Sequence, residues 1–221
     1  MNKLQYENTN NIPVFKCNLC GHCSGILEAT SYTNIKNRGC CWYFPKYNLV
    51  DIKNIITIGK KNFIYVLLNM KNTVINKYNI EVKGTFDEEK YLEFIKGNPN
   101  SIEDNFDPKL FFKVCAFSRP DGCHLDFSLR PHPCNLYLCR TVVSCCGEVY
   151  KNYSRERKDY YAYCNYFDES IRQILTEKKV NLQSDPFKAI EIIEDFQMPP
   201  FGGGNFESIE FFPHNYGKKV G

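Results

Sequence analysis

The residues of this chain whose type and spacing most clearly indicate a chemical role are its cysteines, which number twelve among 221 residues. Cys17, Cys20 and Cys23 form a first group with two residues between successive members. A Cys-x2-Cys turn points two sulfurs at one ion, while nearby backbone N–H groups help to hold the thiolate charge. Gly21 suits a backbone that must turn tightly around such an ion. The spacing therefore predicts metal ligands.

A second group of cysteines supplies the further ligands that a metal centre needs. Its candidate members are Cys115, Cys123, Cys134 and Cys139. A structural zinc ion takes four ligands in a tetrahedron, and an iron–sulfur cluster usually takes four thiolates. Ligands from both groups therefore fit one cluster or two zinc ions, and the spacing does not choose between zinc and an iron–sulfur cluster.

The remaining cysteines carry weaker signals. Adjacent residues point in different directions, so we expect at most one member to ligate in each of the pairs Cys40-Cys41 and Cys145-Cys146. Cys164 falls on an apolar helical stripe and is expected to be a core residue.

Histidine and arginine side chains beside the cysteines have more than one interpretation. His22, His124 and His132 lie in or next to the motifs but are expected not to ligate, and His214 lies near the C-terminus. Arg130 either places a positive charge near the sulfurs or pairs with a carboxylate.

The two cysteine segments together resemble the YkgJ-like proteins, the CxxCxxCC family of zinc- or iron-chelating domains. The first motif is FKCNLCGHC at residues 15–23. The second combines CAF at residues 115–117, Cys123, RPHPC at residues 130–134 and Cys139. The resemblance covers residues 15–139 and implies binding of zinc or an iron–sulfur cluster.

One position departs from the pattern of that family. Ser24 stands where the family usually has a fourth clustered cysteine, and Cys40 or Cys41 is a candidate to replace it. A related cluster occurs in flagellin lysine-N-methylase. The resemblance therefore also implies an alternative, a metal- or iron–sulfur-dependent protein-modifying enzyme in which substrate or S-adenosylmethionine occupies an open position. Whether the protein is an enzyme stays open, and no catalytic residue is predicted.

Helices and short strands must position these cysteines. The residues after Asn48, Asp87 and Asp185 each predict a capped helix, and apolar spacing predicts a longer helix over residues 154–179. Between residues 62 and 82, the runs FIYVLL, TVI and YNIEV predict one or two short strands.

These elements predict an α+β fold in which helices and irregular loops, with a few short strands, pack around a cysteine-ligated metal centre. We expect a polar N-terminal segment over residues 1–14, a single domain over residues 15–196 and a flexible tail over residues 197–221.

Composition limits the class of partner and the compartment. Apolar residues make up 43% and charged residues 24%, a globular balance, and the net charge of +3 is too mild to indicate nucleic acid or a membrane surface. The N-terminus MNKLQYENTNN lacks the apolar segment of a secretory signal. We therefore expect a cytoplasmic protein whose reduced thiols bind a metal ion or cluster. A protein partner or substrate is unknown.

Overall fold

The computed structural model describes residues 2–10, 12–19, 31–35, 44–98, 108–120 and 122–212. Helix and sheet are mixed along this part of the chain, which agrees with an α+β class. The helices are α1 (Leu49–Thr57), α2 (Lys61–Asn69), α3 (Glu88–Gly97), α4 (His132–Asn135), α5 (Arg140–Cys146), α6 (Lys151–Glu177) and α7 (Pro186–Asp195). The strands are β1 (Asn2–Thr9), β2 (Ile12–Cys17), β3 (Lys46–Asn48), β4 (Thr73–Asn76), β5 (Asn79–Val82), β6 (Thr85–Phe86), β7 (Lys113–Val114), β8 (Ser118–Arg119), β9 (Gly122–Cys123) and β10 (Ile209–Phe211).

The first sheet joins the two ends of the described chain. β1 lies between β2 and β10 and runs antiparallel to both. Leu4 pairs with Cys17 on one side and with Ile209 on the other, and both Leu4 and Ile209 are buried. Residues 2–9 and 209–211, which the expected boundaries placed outside the domain, thus belong to one sheet. The reason is that both segments contribute buried apolar side chains to one sheet face.

The second sheet has the strand order β3-β5-β4 and is antiparallel throughout. β4 and β5 confirm the short strands predicted between residues 62 and 82. The run FIYVLL at the start of this range is helical instead and belongs to α2. Ile64 and Leu67 are fully buried, whereas Val66 between them is 56% exposed. This helical spacing outweighs the β-forming composition of the run.

The four predicted helices are confirmed, together with the cap residues that begin three of them. α1 follows Asn48, whose N–H donates to the Asp51 carboxylate at 3.0 Å. The Asp87 and Asp185 side chains accept from backbone N–H groups in the first turns of α3 and α7, at 3.2 and 3.0 Å. α6 begins slightly before the predicted range of 154–179.

The main core lies where α1 contacts α6, α7 and α2. α1 is buried from Leu49 to Ile56. The predicted apolar stripe of α6 faces the core. Its buried members are Tyr160, Cys164, Ile171 and Leu175. The expectation that Cys164 is a core residue is therefore confirmed. No helix within the described ranges is both long and apolar enough to cross a membrane.

Candidate metal centre

Three of the predicted ligands lie in a stretch of mostly irregular backbone that follows β7. The hairpin of β8 and β9 sets Ser118 opposite Cys123, and the Ser118 N–H donates to the Cys115 carbonyl at 3.0 Å. Cys134 lies in α4, which begins directly after Pro131. Cys115 is buried, and the side chains of Cys123 and Cys134 are half-buried. A tight hairpin and a one-turn helix thus position these three thiols.

Tyr47, in β3, contacts the loop between Cys123 and Cys134, since its hydroxyl donates to the Leu129 carbonyl at 3.1 Å. Tyr47 is fully buried. Burial raises the pKa of Tyr47, and negative charge on Cys134 and Asp51 raises it further, with smaller contributions from Cys123 and Cys115. Through its hydrogen bond with Leu129, Tyr47 ties β3 to the loop between Cys123 and Cys134.

Arg130 holds the loop between Cys123 and Cys134 through backbone carbonyls. Its Nη2 donates to the carbonyls of Leu125 at 2.7 Å and Cys123 at 3.2 Å, and its Nε donates to Leu125 at 2.9 Å. The guanidinium also lies 4.0 Å from the centre of the Phe127 ring, a cation–π contact. The Arg-Pro motif therefore fixes the shape of the loop that carries two candidate ligands.

His132 lies between that loop and α1. The backbone N–H and the Nδ1 of His132 both donate to Asp51 Oδ1, at 2.7 and 2.9 Å, and each side chain is only 3% exposed. Burial by itself lowers the pKa of His132, but the charge of Asp51 and its hydrogen bond outweigh burial and hold this pKa well above its usual range. The resulting ion pair ties α4, and with it Cys134, to the first turn of α1. The sequence did not predict this pair.

Cys164 extends the ion pair into a buried series of Cys, His and Asp side chains. Its thiol forms hydrogen bonds with His132 and Tyr160. The residue types match a nucleophile, a base and an orienting carboxylate. The thiol is only 1% exposed, however, and burial raises its pKa despite the hydrogen bond with His132. A buried thiol of this kind is unreactive, so we interpret the series as core packing.

Cys17, at the end of β2, lies near two helices that carry cysteines. β2 packs against α4, the helix that contains Cys134. Burial raises the pKa of Cys146, at the end of α5, to about 11, and negative charge on Cys145 and Cys17 contributes. Cys139 immediately precedes α5, and its half-buried side chain packs against the core.

Two predicted ligands, Cys20 and Cys23, lie outside the described ranges, and so do the other residues considered with them, namely His22, Ser24, Cys40, Cys41 and His214. Among the residues that the structure describes, no three His, Cys, Asp or Glu side chains form a group that could hold a metal ion. The ring of His124 forms a hydrogen bond with the Phe117 carbonyl at 3.0 Å. The described thiols are ligands of the kind that zinc and iron–sulfur clusters take, but by themselves they do not complete a ligand set.

Comparison of the chain with protein-family profiles, with curated proteins and with solved structures finds no match in any of the three. The relation to the YkgJ-like proteins therefore stays a prediction from the two motifs. The fold defines a broader class, a mixed α+β protein.

Proposed function

We propose that this protein binds a metal through its clustered cysteines, either as zinc or as an iron–sulfur cluster. The observation that carries the proposal is the placement of Cys115, Cys123 and Cys134 in one short segment, whose loop Tyr47 and Arg130 hold through backbone carbonyls. Packing of β2 against α4 also brings the strand that ends at Cys17 next to the helix that contains Cys134. Several thiolates in a region of low dielectric repel one another, and a bound cation removes that repulsion.

The weak local structure of the cysteine-bearing segment also supports a metal. Strands β6 to β9 are only two residues long, so few ladder hydrogen bonds hold this part of the chain. Thiolate–zinc bonds contribute on the order of 10 kcal/mol of apparent folding free energy in small zinc domains. A bound ion would therefore stabilise the segment far more than its short strands do.

The proposed ligand set is the one that the two motifs predict: Cys17, Cys20, Cys23, Cys115, Cys123, Cys134 and Cys139. Bound zinc would join distant segments of the chain, and a cluster would add the capacity to carry an electron. Arg130 and the Asp51–His132 pair would act from outside the ligand set by holding the backbone around Cys123 and Cys134.

Anaerobic purification of the full chain, followed by metal analysis, sulfide analysis and an absorption spectrum, tests the proposal. A brown protein with acid-labile sulfide identifies a cluster, and a colourless protein with at least about one zinc per chain identifies a zinc site. We expect Cys134→Ser to lose metal and Cys164→Ser, a matched change at a buried cysteine in the helical core, to keep it. Wild-type protein without stoichiometric metal, or full retention by Cys134→Ser, would contradict the proposal.

A further inference from the structure

Residues 197–208 form an extended strap between α7 and β10. They contain no helix or strand, and none of them is fully buried. Both ends of the strap are anchored, since Ile193 in α7 and Ile209 in β10 are buried. Irregular segments of about a dozen residues or more are uncommon in compact domains, and many of them are lids or binding loops. The strap thus has the length and the two fixed ends of a lid.

One face of α6 lies beneath the strap and contacts it in each turn. Residues three or four positions apart share a helix face, and the members of this tyrosine face are Tyr153, Glu156, Tyr160 and Tyr163. The Tyr163 hydroxyl donates to the Pro199 carbonyl at 2.6 Å, and the Tyr153 hydroxyl donates to the Glu207 carbonyl at 2.9 Å. Between them, the centre of the Phe201 ring lies 4.9 Å from the centre of the Tyr160 ring. The strap therefore runs along α6 in the direction opposite to the helix.

Glu156 joins the strap to β1 as well as to α6. Its Oε1 accepts from the Tyr6 hydroxyl and, at 3.0 Å, from the Gly204 N–H. A Cβ on Gly203 would lie 2.5 Å from the Tyr6 hydroxyl oxygen and 2.9 Å from Glu156 Oε1, so only glycine allows this close approach. A Cβ on Gly202 would meet nothing within 4 Å. The two neighbouring glycines thus differ in what a side chain would do to the closed strap.

From these contacts we propose that the strap opens as a unit while the helices and β10 stay folded, and that opening uncovers the tyrosine face of α6. Directional hydrogen bonds hold the strap, whereas apolar burial holds the helices, and segments with few buried apolar contacts open first. The carboxylate of Glu156 acts as the latch. Opening gives it access to water, so no charge is left buried without a partner. The inference does not depend on the metal proposed above.

Hydrogen exchange of the full chain, followed by NMR, tests the inference. In the wild type, the Gly204 amide should exchange at least about tenfold faster than the amide of Ile55 in α1. Gly203→Val should accelerate Gly204 by at least about tenfold more, because a lost hydrogen bond to a charged group shifts an equilibrium by about this factor. The exchange of Ile55 should not change. Gly202→Val is the matched control and should exchange like the wild type.

Nitration of tyrosines by tetranitromethane measures whether the strap leaves α6. Tyr163 should be nitrated faster in Gly203→Val than in the wild type, because its hydroxyl loses the Pro199 carbonyl. Tyr166, three residues further along α6, is 67% exposed and serves as the internal reference. Gly202→Val should leave the ratio of the two nitration rates unchanged.

Three results would overturn the inference. They are equal exchange of Gly204 and Ile55 in the wild type, unchanged exchange of Gly204 in Gly203→Val, and equal acceleration of both amides by that substitution. If circular dichroism shows that Gly203→Val does not fold, the wild-type comparison decides, because it needs no variant.

Discussion

The helical core and the cysteine-bearing segment over residues 108–139 keep their shapes by different means. In the core, apolar side chains recur at helical spacing and are almost fully buried, as at Ile55, Ile171 and Ile193. The cysteine-bearing segment also buries apolar side chains such as Leu136, but its strands have two residues each, and its loops depend on side chains such as Arg130 that bond to backbone carbonyls. Burial is additive and tolerant of small shifts, whereas directional contacts fail when one partner is lost. The two regions should therefore respond differently to the same perturbation.

Metal removal is the perturbation with the largest expected effect. Chelation should abolish protection against hydrogen exchange in residues 113–125 while α1 and α6 keep theirs. The physical reason is that thiolate–metal bonds supply on the order of 10 kcal/mol to a small zinc site, whereas the helices are held by apolar burial. Mass spectrometry of exchanged peptides measures both regions in one sample.

Restoring the metal provides the control for this measurement. Added zinc, or reconstitution of the cluster, should restore protection in residues 113–125 alone. Equal loss of protection in the helices would show that the two regions form one cooperative unit. Unchanged protection everywhere would show that metal does not hold the cysteine-bearing segment.

The Asp51–His132 pair joins the two regions, and its loss should have the next largest effect. Asp51→Asn removes the charge and leaves His132 buried with a neutral partner. Breaking one side of a buried ion pair costs about 3–5 kcal/mol. We expect a loss of that size in the free energy of unfolding, measured by urea denaturation.

Asp87→Asn is the matched control, because Asp87 caps α3 in a half-exposed position and asparagine is an equally good cap. Its effect on the free energy of unfolding should be no more than a few tenths of a kcal/mol. If Asp51→Asn costs no more than Asp87→Asn, the buried pair does not tie the cysteine-bearing segment to the core.

The sequence predicted the helical region well because its signals are local. Cap residues such as Asp185 and the spacing of Tyr160, Cys164 and Ile171 are visible within a few turns of chain. The strand prediction for the FIYVLL run was wrong because the composition of the run favours a strand whereas its apolar spacing favours a helix. Burial on one side of α2 follows the spacing.

Long-range pairing explains most of what the sequence did not show. The pairing of Leu4 with Ile209 has no local signature, and neither does the contact between Asp51 and His132, which are 81 residues apart. For the candidate site, spacing predicted the cysteines, but the contacts of Tyr47 and Arg130 with backbone carbonyls near them depend on packing.

A titration within the helical region gives the smallest expected effect and refines the comparison further. Asp168 on α6 accepts from the Val50 N–H at 2.7 Å, so one buried contact in the core is polar. Burial raises the pKa of Asp168 to about 6; the charge of Asp51 raises it too, while the Val50 hydrogen bond and His132 act in the opposite direction. Between about pH 4 and pH 6, the folded chain therefore keeps a proton that the unfolded chain has released.

The sign of the stability change follows from that proton. Because the folded state binds more protons in this interval, the free energy of unfolding should fall as pH rises, by at most about 3 kcal/mol for a shift of about two pKa units. Asp168→Asn keeps an acceptor for Val50 and should be more stable than the wild type above pH 6, with the difference vanishing near pH 4. Asp159→Asn, at an exposed position of the same helix, should show no such trend. A difference between Asp168→Asn and the wild type that stays constant with pH would mean that folding does not raise the pKa of this carboxyl, and would contradict the prediction.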